Sequence, residues 1–170
     1  GPFLEYSQES LCSVTPEEAC AHPIWNMGKK ISIDSCTMMN KVFEVIEAKN
    51  LFNIPYSKIS ILTHPESYIH AIVKFKDGLI QIIAHDTTMK IPIFNTINFN
   101  ESATIKTNTL NIDKLNHLEL KNINYDIFPL VKILKNLPEQ SSLYETVIIS
   151  VNDFLVNQFL KKRIKYNQIE

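Results

Sequence analysis

Apolar positions along the 170-residue chain change period several times, and each change predicts an element. From residue 37 onward Met38, Val42, Val45 and Ile46 recur at helical spacing, leaving Asn40, Lys41 and Glu44 on the other side. That predicts a long helix over 37–51, closed by Asn53 and Pro55, with Asp34 and Ser35 as N-cap residues. Upstream, Thr15-Pro-Glu-Glu is a capping sequence with Pro at the first helical position, so a short helix is expected over 16–21, ended by His22-Pro23. Residues 22–28 then read as a loop and 30–33 as a short strand-like run.

The pattern turns β-rich at 59–63, 68–75 and 79–84, three runs separated by turn signals. Asp77-Gly78 predicts a hairpin. In the second run Ile69, Ala71, Val73 and Phe75 alternate with Tyr68, His70, Ile72 and Lys74, which gives one apolar and one mixed face. The third is apolar on both faces. Residues 87–98 predict a helix interrupted by Pro92, and 98–124 are polar, Asn- and Thr-rich and weakly periodic, hence a connector with short pieces of structure. Helical spacing returns over 127–137 and 143–161, where Val147, Val151, Phe154, Leu155 and Phe159 precede the basic end Lys161-Lys-Arg163. The fold class expected is α+β: a small, largely antiparallel sheet covered by helices, followed by the beginning of a helical region.

Composition narrows the functions available. A hydrophobic content of 45% supplies a core, and the net charge of -1, with both signs interspersed, excludes a basic field for nucleic acid or an anionic membrane. No stretch reaches the ~18 apolar residues of a membrane span, and the start lacks signal-peptide features. Cys12, Cys20 and Cys36 form no C-x-x-C and no small secreted framework, so they read as reduced thiols of a cytoplasmic or plastid-type compartment.

Candidate chemistry gathers at the predicted helix start. A helix N-terminus offers free N–H groups and a positive dipole end, which favour an anion, and Lys41 adds a full charge. Glu44 lies one turn on, roughly 4.5–6 Å further along the axis. The set suits a phosphorylated, metal-chelating substrate. Equally, Ser35 could only cap the helix while Asn40, Lys41 and Glu44 are solvated. Trp25 stands between Pro23 and Gly28, where its neighbours in sequence do little to bury it. His64 and His70 flank a strand start, and His70 has core-like neighbours.

The segment from His22-Pro-Ile-Trp-Asn-Met-Gly through Ser35 and Met38-Met-Asn-Lys to Glu44-Val-Ile-Glu-Ala48 resembles the catalytic domain of the 1-deoxy-D-xylulose-5-phosphate reductoisomerases. Gly1-Pro-Phe, Thr15-Pro-Glu-Glu-Ala, Leu51-Phe-Asn-Ile-Pro55, His64-Pro-Glu-Ser-Tyr-Ile-His70 and Met89-Lys-Ile-Pro-Ile93 carry the likeness to about residue 93. Beyond that it thins to Phe128-Pro129 and parts of 146–160. Gly1-Pro-Phe falls in mid-sequence of that family, which with the lack of an initiator Met suggests a fragment. The expected organisation is a catalytic domain over 1–98, a connector over 99–124 and the start of a C-terminal helical domain over 125–170.

The resemblance implies an NADPH-dependent oxidoreductase and isomerase of isoprenoid precursor synthesis. It would rearrange 1-deoxy-D-xylulose 5-phosphate and reduce the product to 2-C-methyl-D-erythritol 4-phosphate, with Mg2+ or Mn2+. It implies that Ser35, Asn40, Lys41 and His22 bind the substrate phosphate and that Trp25 belongs to a lid over the substrate. Glu44 would be a metal ligand, its companions coming from a D-S-E motif that this chain does not contain. His64 would orient groups or handle a proton, Lys41 and Glu44 would join it in the catalytic set, and Met27, Gly28 and Met89 would lie on the cofactor side. A homodimer is implied too. Three glycines leave no room for a dinucleotide fingerprint, so an NADPH domain is expected upstream and the 170 residues alone are expected to be inactive.

Two departures support an alternative, a degenerate homologue serving as a non-catalytic phosphosugar-binding or assembly module. The family's G-E-P-D-M reads His85-Asp86-Thr87-Thr88-Met89, and its N-A-A-N-E reads Ile149-Ser-Val-Asn-Asp153.

Overall fold

A computed structural model describes residues 2–4, 6–21, 27–99, 102–140 and 142–170. The chain divides into two compact units, one formed by Gly1–Ile61 with Ile123–Glu170 and the other by Leu62–Asn122. These units are cut differently from the catalytic, connector and helical segments drawn from the sequence.

The first unit is helical. It contains α1 (Gln8–Leu11), α2 (Pro16–Cys20), α3 (Lys29–Cys36), α4 (Met39–Phe52) and, after the excursion into the other unit, α7 (Tyr144–Leu160). The expected capping box at α2 is present, with Thr15 Oγ1 accepting from the Glu18 N–H and the Glu18 carboxylate accepting from the Thr15 N–H. α4 ends as its sequence indicates, with Asn53 in the left-handed region as C-cap. Phe3, Ala19, Ile33, Val42, Val156, Phe159 and Tyr166 form the centre of the core, and each is at most 1% exposed. Burial of a Val or Ile of this kind contributes roughly 1.5–3 kcal/mol.

Residues 30–33 are not a strand. They belong to α3, because a helix over Lys29–Cys36 buries Ser32, Ile33, Asp34 and Cys36 and sets Lys30 one turn from Asp34. Asp34 and Ser35 are therefore interior residues of α3, and the following helix starts at Met39 rather than 37. The expected helix over 127–137 is a 3₁₀ helix, Pro129–Asn136.

The second unit holds α5 (Lys90–Ile97), α6 (Ile112–Asn116) and two separate antiparallel pairs. β1 (Leu62–Thr63) pairs with β4 (Lys121–Asn122), so only the last two residues of the 59–63 run are strand, and Tyr56–Lys58 forms a 3₁₀ turn before it. β2 (Ile69–Lys74) pairs with β3 (Ile80–Ala84) in register Ile72 to Ile82 and Val73 to Gln81. The hairpin closes where Asp77-Gly78 predicts it. Gly78 has φ +93°, and the Phe75 N–H donates to the Leu79 carbonyl at 2.9 Å. Every residue of β3 is exposed, although the sequence is apolar on both faces. Pro92 does not interrupt α5, since it is the third residue of the helix, where its missing N–H has no intrahelical partner to lose. The α+β class holds, with two small antiparallel pieces in place of one sheet.

Candidate functional site

The site is built on the junction of α3 and α4, both in the helical unit. Thr37 and Met38 separate the two helices, and Met38 has φ 61° and ψ 11°, left-handed values that cost a side-chain-bearing residue about 1 kcal/mol or more. Buried Thr37 supports that turn. Its hydroxyl donates to the Ile33 carbonyl at 3.1 Å and accepts from the Met39 N–H at 3.3 Å. Met38 itself offers no capping side chain, so the Thr37 hydroxyl takes up the first N–H of α4 in its place.

On the first turns of α4, Glu44 collects its two polar neighbours. Asn40 Nδ2 donates to Glu44 Oε1 at 2.7 Å, and Lys41 Nζ donates to Glu44 Oε2 at 2.7 Å. A donor, a cation and a carboxylate thus share one partly exposed patch at a helix start. Ser35, half-buried on the last turn of α3, makes no side-chain hydrogen bond among the described residues and no contact of that kind with this trio. An anion arriving here would compete with Glu44 for Lys41, whereas a cation would compete with Lys41 for Glu44.

A buried polar cluster stands behind Ser35. Asp34 is 3% exposed, and its Oδ2 lies 2.7 Å from Lys30 Nζ while its Oδ1 accepts from Asn152 Nδ2 of α7 at 2.8 Å. The same Lys30 ammonium lies 2.9 Å from Asp153 Oδ1 and 5.2 Å from the centroid of the Phe43 ring. Partial burial pulls the Lys30 pKa down, but the hydrogen bonds to Asp34 and Asp153 outweigh it, and the net value is raised. Asn152 Oδ1 is buried and has no hydrogen-bond partner among the described residues. On the other side of the chain the Cys36 thiol donates to the Ala19 carbonyl at 3.0 Å, and burial pushes its pKa up to about 12.

The remaining predicted residues lie elsewhere. His64 is in the second unit, where its ring closes the turn before β2. Nδ1 is 3.3 Å from Glu66 Oε2, and Nε2 accepts from the Ile69 N–H at 3.2 Å. His70 is exposed rather than among core residues, and its ring stacks on His85 at 3.6 Å. Met89 precedes α5 and is exposed. Gly28 is the N-cap of α3, half-exposed Met27 precedes it, and a Cβ on Gly28 would meet nothing within 4 Å. His22 and Trp25 lie outside the described residues.

Among the described residues no group of three or more His, Cys, Asp or Glu side chains is placed to hold a metal ion. Glu44 alone supplies one hard oxygen ligand, which does not hold a divalent cation by itself. No dinucleotide-binding loop is found either, the glycines of the chain being Gly1, Gly28 and Gly78.

Sequence reasoning missed Lys30 and the inward role of Asp34 because it read 30–33 as strand. The signal was present in the i, i+4 spacing of the two opposite charges. The partner Asn152 stood in the segment compared with N-A-A-N-E, but nothing local ties it to Asp34, 118 positions away.

A model of the DXP reductoisomerase C-terminal domain matches residues 86–170, half of the chain, and a model of the 1-deoxy-D-xylulose 5-phosphate reductoisomerase C-terminal domain matches residues 1–52. The chain belongs to the DXP reductoisomerase C-terminal domain family. Among curated relatives, 1-deoxy-D-xylulose 5-phosphate reductoisomerase of Pelagibacter ubique is 52% identical over 169 residues, which cover 99% of this chain and 44% of that protein. A solved reductoisomerase from Zymomonas mobilis in complex with NADPH superposes with a TM-score of 0.89 at 36% identity, over 99% of this chain and 43% of its own. A solved DOX-P reductoisomerase in complex with NADPH, fosmidomycin and magnesium has a TM-score of 0.88 at 32% identity, over 99% of this chain and 41% of its own. The chain therefore spans less than half the length of the reductoisomerases it matches. No helix of the described residues is long and apolar enough to cross a membrane.

Proposed function

We propose that this chain supplies the phosphate-binding and part of the metal-binding side of a 1-deoxy-D-xylulose-5-phosphate reductoisomerase. The observation that carries the reading is the convergence of Asn40 and Lys41 on Glu44 on the first turns of α4, shortly after Ser35, whose hydroxyl has no hydrogen-bond partner among the described residues. Ser35, Asn40 and Lys41 hold the substrate phosphate together with His22, and Glu44 gives one oxygen to Mg2+ or Mn2+. Trp25 covers the substrate, while Met27, Gly28 and Met89 face the cofactor and His64 orients a polar group of the substrate. Bound NADPH supplies the hydride and the divalent cation polarises substrate oxygens. What these residues do themselves is bind, orient and exclude water. Solved relatives bound to NADPH, magnesium and the phosphonate fosmidomycin support this.

The segments 1–98, 99–124 and 125–170 act as catalytic domain, connector and helical domain in this reading, with the NADPH domain elsewhere in the polypeptide. The exposed apolar hairpin β2–β3 supports a homodimer, since a two-stranded piece with bare apolar faces gains from a second copy. The compartment is cytoplasmic or plastid-type, which fits three free cysteines.

The chain itself decides the phosphate assignment. Inorganic phosphate titrated into the labelled protein should shift amides of 35–41, and Lys41→Ala should weaken binding by ~1.5–3 kcal/mol, the value of a charged hydrogen bond. Shifts confined to 161–165 would mean that only a basic surface was found. A non-catalytic phosphosugar module remains the second reading because of Thr87-Thr88 and Ile149. Turnover of the natural substrate by the polypeptide carrying this chain removes it, and phosphate binding without turnover upholds it.

A further inference from the structure

We propose that Asn152 on α7 is a positioning residue for the phosphate site, acting through its hydrogen bond to buried Asp34 to fix the direction of Ser35. The inference rests on the phosphate reading of Ser35 given above. Ser35 is flanked by two anchored residues. Asp34 is tied to Asn152 and Lys30, and Cys36 is tied to the Ala19 carbonyl of α2. Successive residues on a helix point roughly 100° apart. With 34 and 36 held inward at 3% and 1% exposure, residue 35 is the one left facing out of the cluster.

The chemistry of Asn152 argues that orientation rather than adhesion is its part. The side chain is 2% exposed, it donates one hydrogen bond to Asp34, and its buried Oδ1 has no partner among the described residues. An unpaired buried acceptor costs stability, so an apolar side chain would bind α7 to α3 with less loss. What an apolar side chain cannot do is donate to a carboxylate. Asp34 in turn has an acceptor at each oxygen and a single donor for each, Asn152 for Oδ1 and Lys30 for Oδ2. Removing the amide leaves one oxygen of a buried carboxylate without a donor, and α3 relieves that by shifting its last turn toward another donor or solvent, which moves Ser35. Asp153 supports the same geometry from the next position, by holding the Lys30 ammonium at 2.9 Å.

The test is a phosphate titration followed by amide shifts at 35–41 in four variants: Asn152→Ala, Ser35→Ala, their combination, and the reciprocal exchange Asp34→Asn with Asn152→Asp. Asn152→Ala is expected to weaken phosphate binding about five- to tenfold, as loosened support of a ligand does. Ser35→Ala should weaken it comparably. If Asn152 acts through Ser35, the combined variant binds no more weakly than Ser35→Ala alone. The reciprocal exchange keeps a donor facing an acceptor and should bind within about twofold of the unsubstituted chain. Normal binding by Asn152→Ala beside weakened binding by Ser35→Ala would overturn the proposal, as would multiplicative losses in the combined variant, which describe helix packing alone. Unchanged binding by Ser35→Ala would instead overturn the phosphate assignment of Ser35 itself. Should Asn152→Ala not fold, the reciprocal exchange decides, and weak binding by that folded variant refutes the positioning role.

Discussion

Replacing Thr37 by Val should destabilise the helical unit more than replacing it by Ser, although Val is the closer match in shape. Thr37 is 2% exposed, and its hydroxyl makes two kinds of bond at the turn between α3 and α4. The bond it donates to the Ile33 carbonyl is partly redundant, because that oxygen also accepts the Thr37 N–H at 2.9 Å. The bond it accepts from the Met39 N–H is not redundant. Thr37→Val leaves that amide unsatisfied at a buried helix start, at a cost of ~1–3 kcal/mol, with up to ~1 kcal/mol more for the donated bond. Thr37→Ser keeps both bonds and loses one buried methyl, at ~0.8 kcal/mol. Urea unfolding followed by circular dichroism measures both. At a slope of ~2 kcal/mol per molar, a loss of 2 kcal/mol moves the Val midpoint down by about 1 M and the Ser midpoint by less than half of that. A Ser variant as damaged as the Val variant would show that the methyl, not the hydroxyl, holds the turn.

Glu44→Gln should leave the thermal midpoint almost unchanged, because the side chain is exposed, yet tighten inorganic phosphate binding on the order of threefold by releasing Lys41 from its ion pair; weaker binding by titration contradicts the competition. Cys12, which is exposed, should react with iodoacetamide in the folded chain while Cys36 reacts only after unfolding, as mass mapping of the alkylated peptides would show. The same buried thiol sets an alkaline limit. Unfolded Cys36 ionises near 9.0 whereas the folded residue keeps its proton to about 12, so the folded state binds more protons and its stability falls as pH rises through that window. Melting at stepped pH should show the decline, and Cys36→Ala should make it shallower without abolishing it, because burial also pushes the Tyr166 phenol up. Gly78→Ala should cost about 1 kcal/mol, since φ +93° strains any side chain even where space is free, and an unchanged melting curve would refute that.

Elements governed by local chemistry were legible in the sequence. The Thr15 capping box, the Asp77-Gly78 hairpin, the Asn53 end of α4 and the long α7 all follow from neighbours within a few residues. Failures came where local signals pointed two ways. Lys30 to Ile33 alternates like a strand, yet Ile33 is buried by α3 packing, and the decisive partners of that helix, Val156 and Asn152, lie more than a hundred positions on. Ser35 looked like a cap because residue type reports capping aptitude without saying which of two abutting helices will use it. The Asn40, Lys41 and Glu44 trio was legible because one helix places it, whereas of the support behind Ser35 only the Lys30 to Asp34 spacing was local, and nothing in the sequence joined Asp34 to Asn152. The β3 run advertises apolar faces truly, but sequence describes a surface and is silent about what covers it.

The left-handed residue Met38 also bears on how this stretch tolerates changes of length. Between Ser35 and Glu44 the backbone runs as helix, one reversed residue, then helix, with no slack to absorb an extra unit. Adding one residue between Lys41 and Glu44 would swing the carboxylate about 100° round the axis and away from Asn40, and deleting one there would swing it away from Lys41, so either change breaks one of the two contacts. Variation in length among descendants of such a chain is therefore expected in segments like 98–110, where among the described residues no helix or strand sets a phase, while 35–44 keeps a constant count.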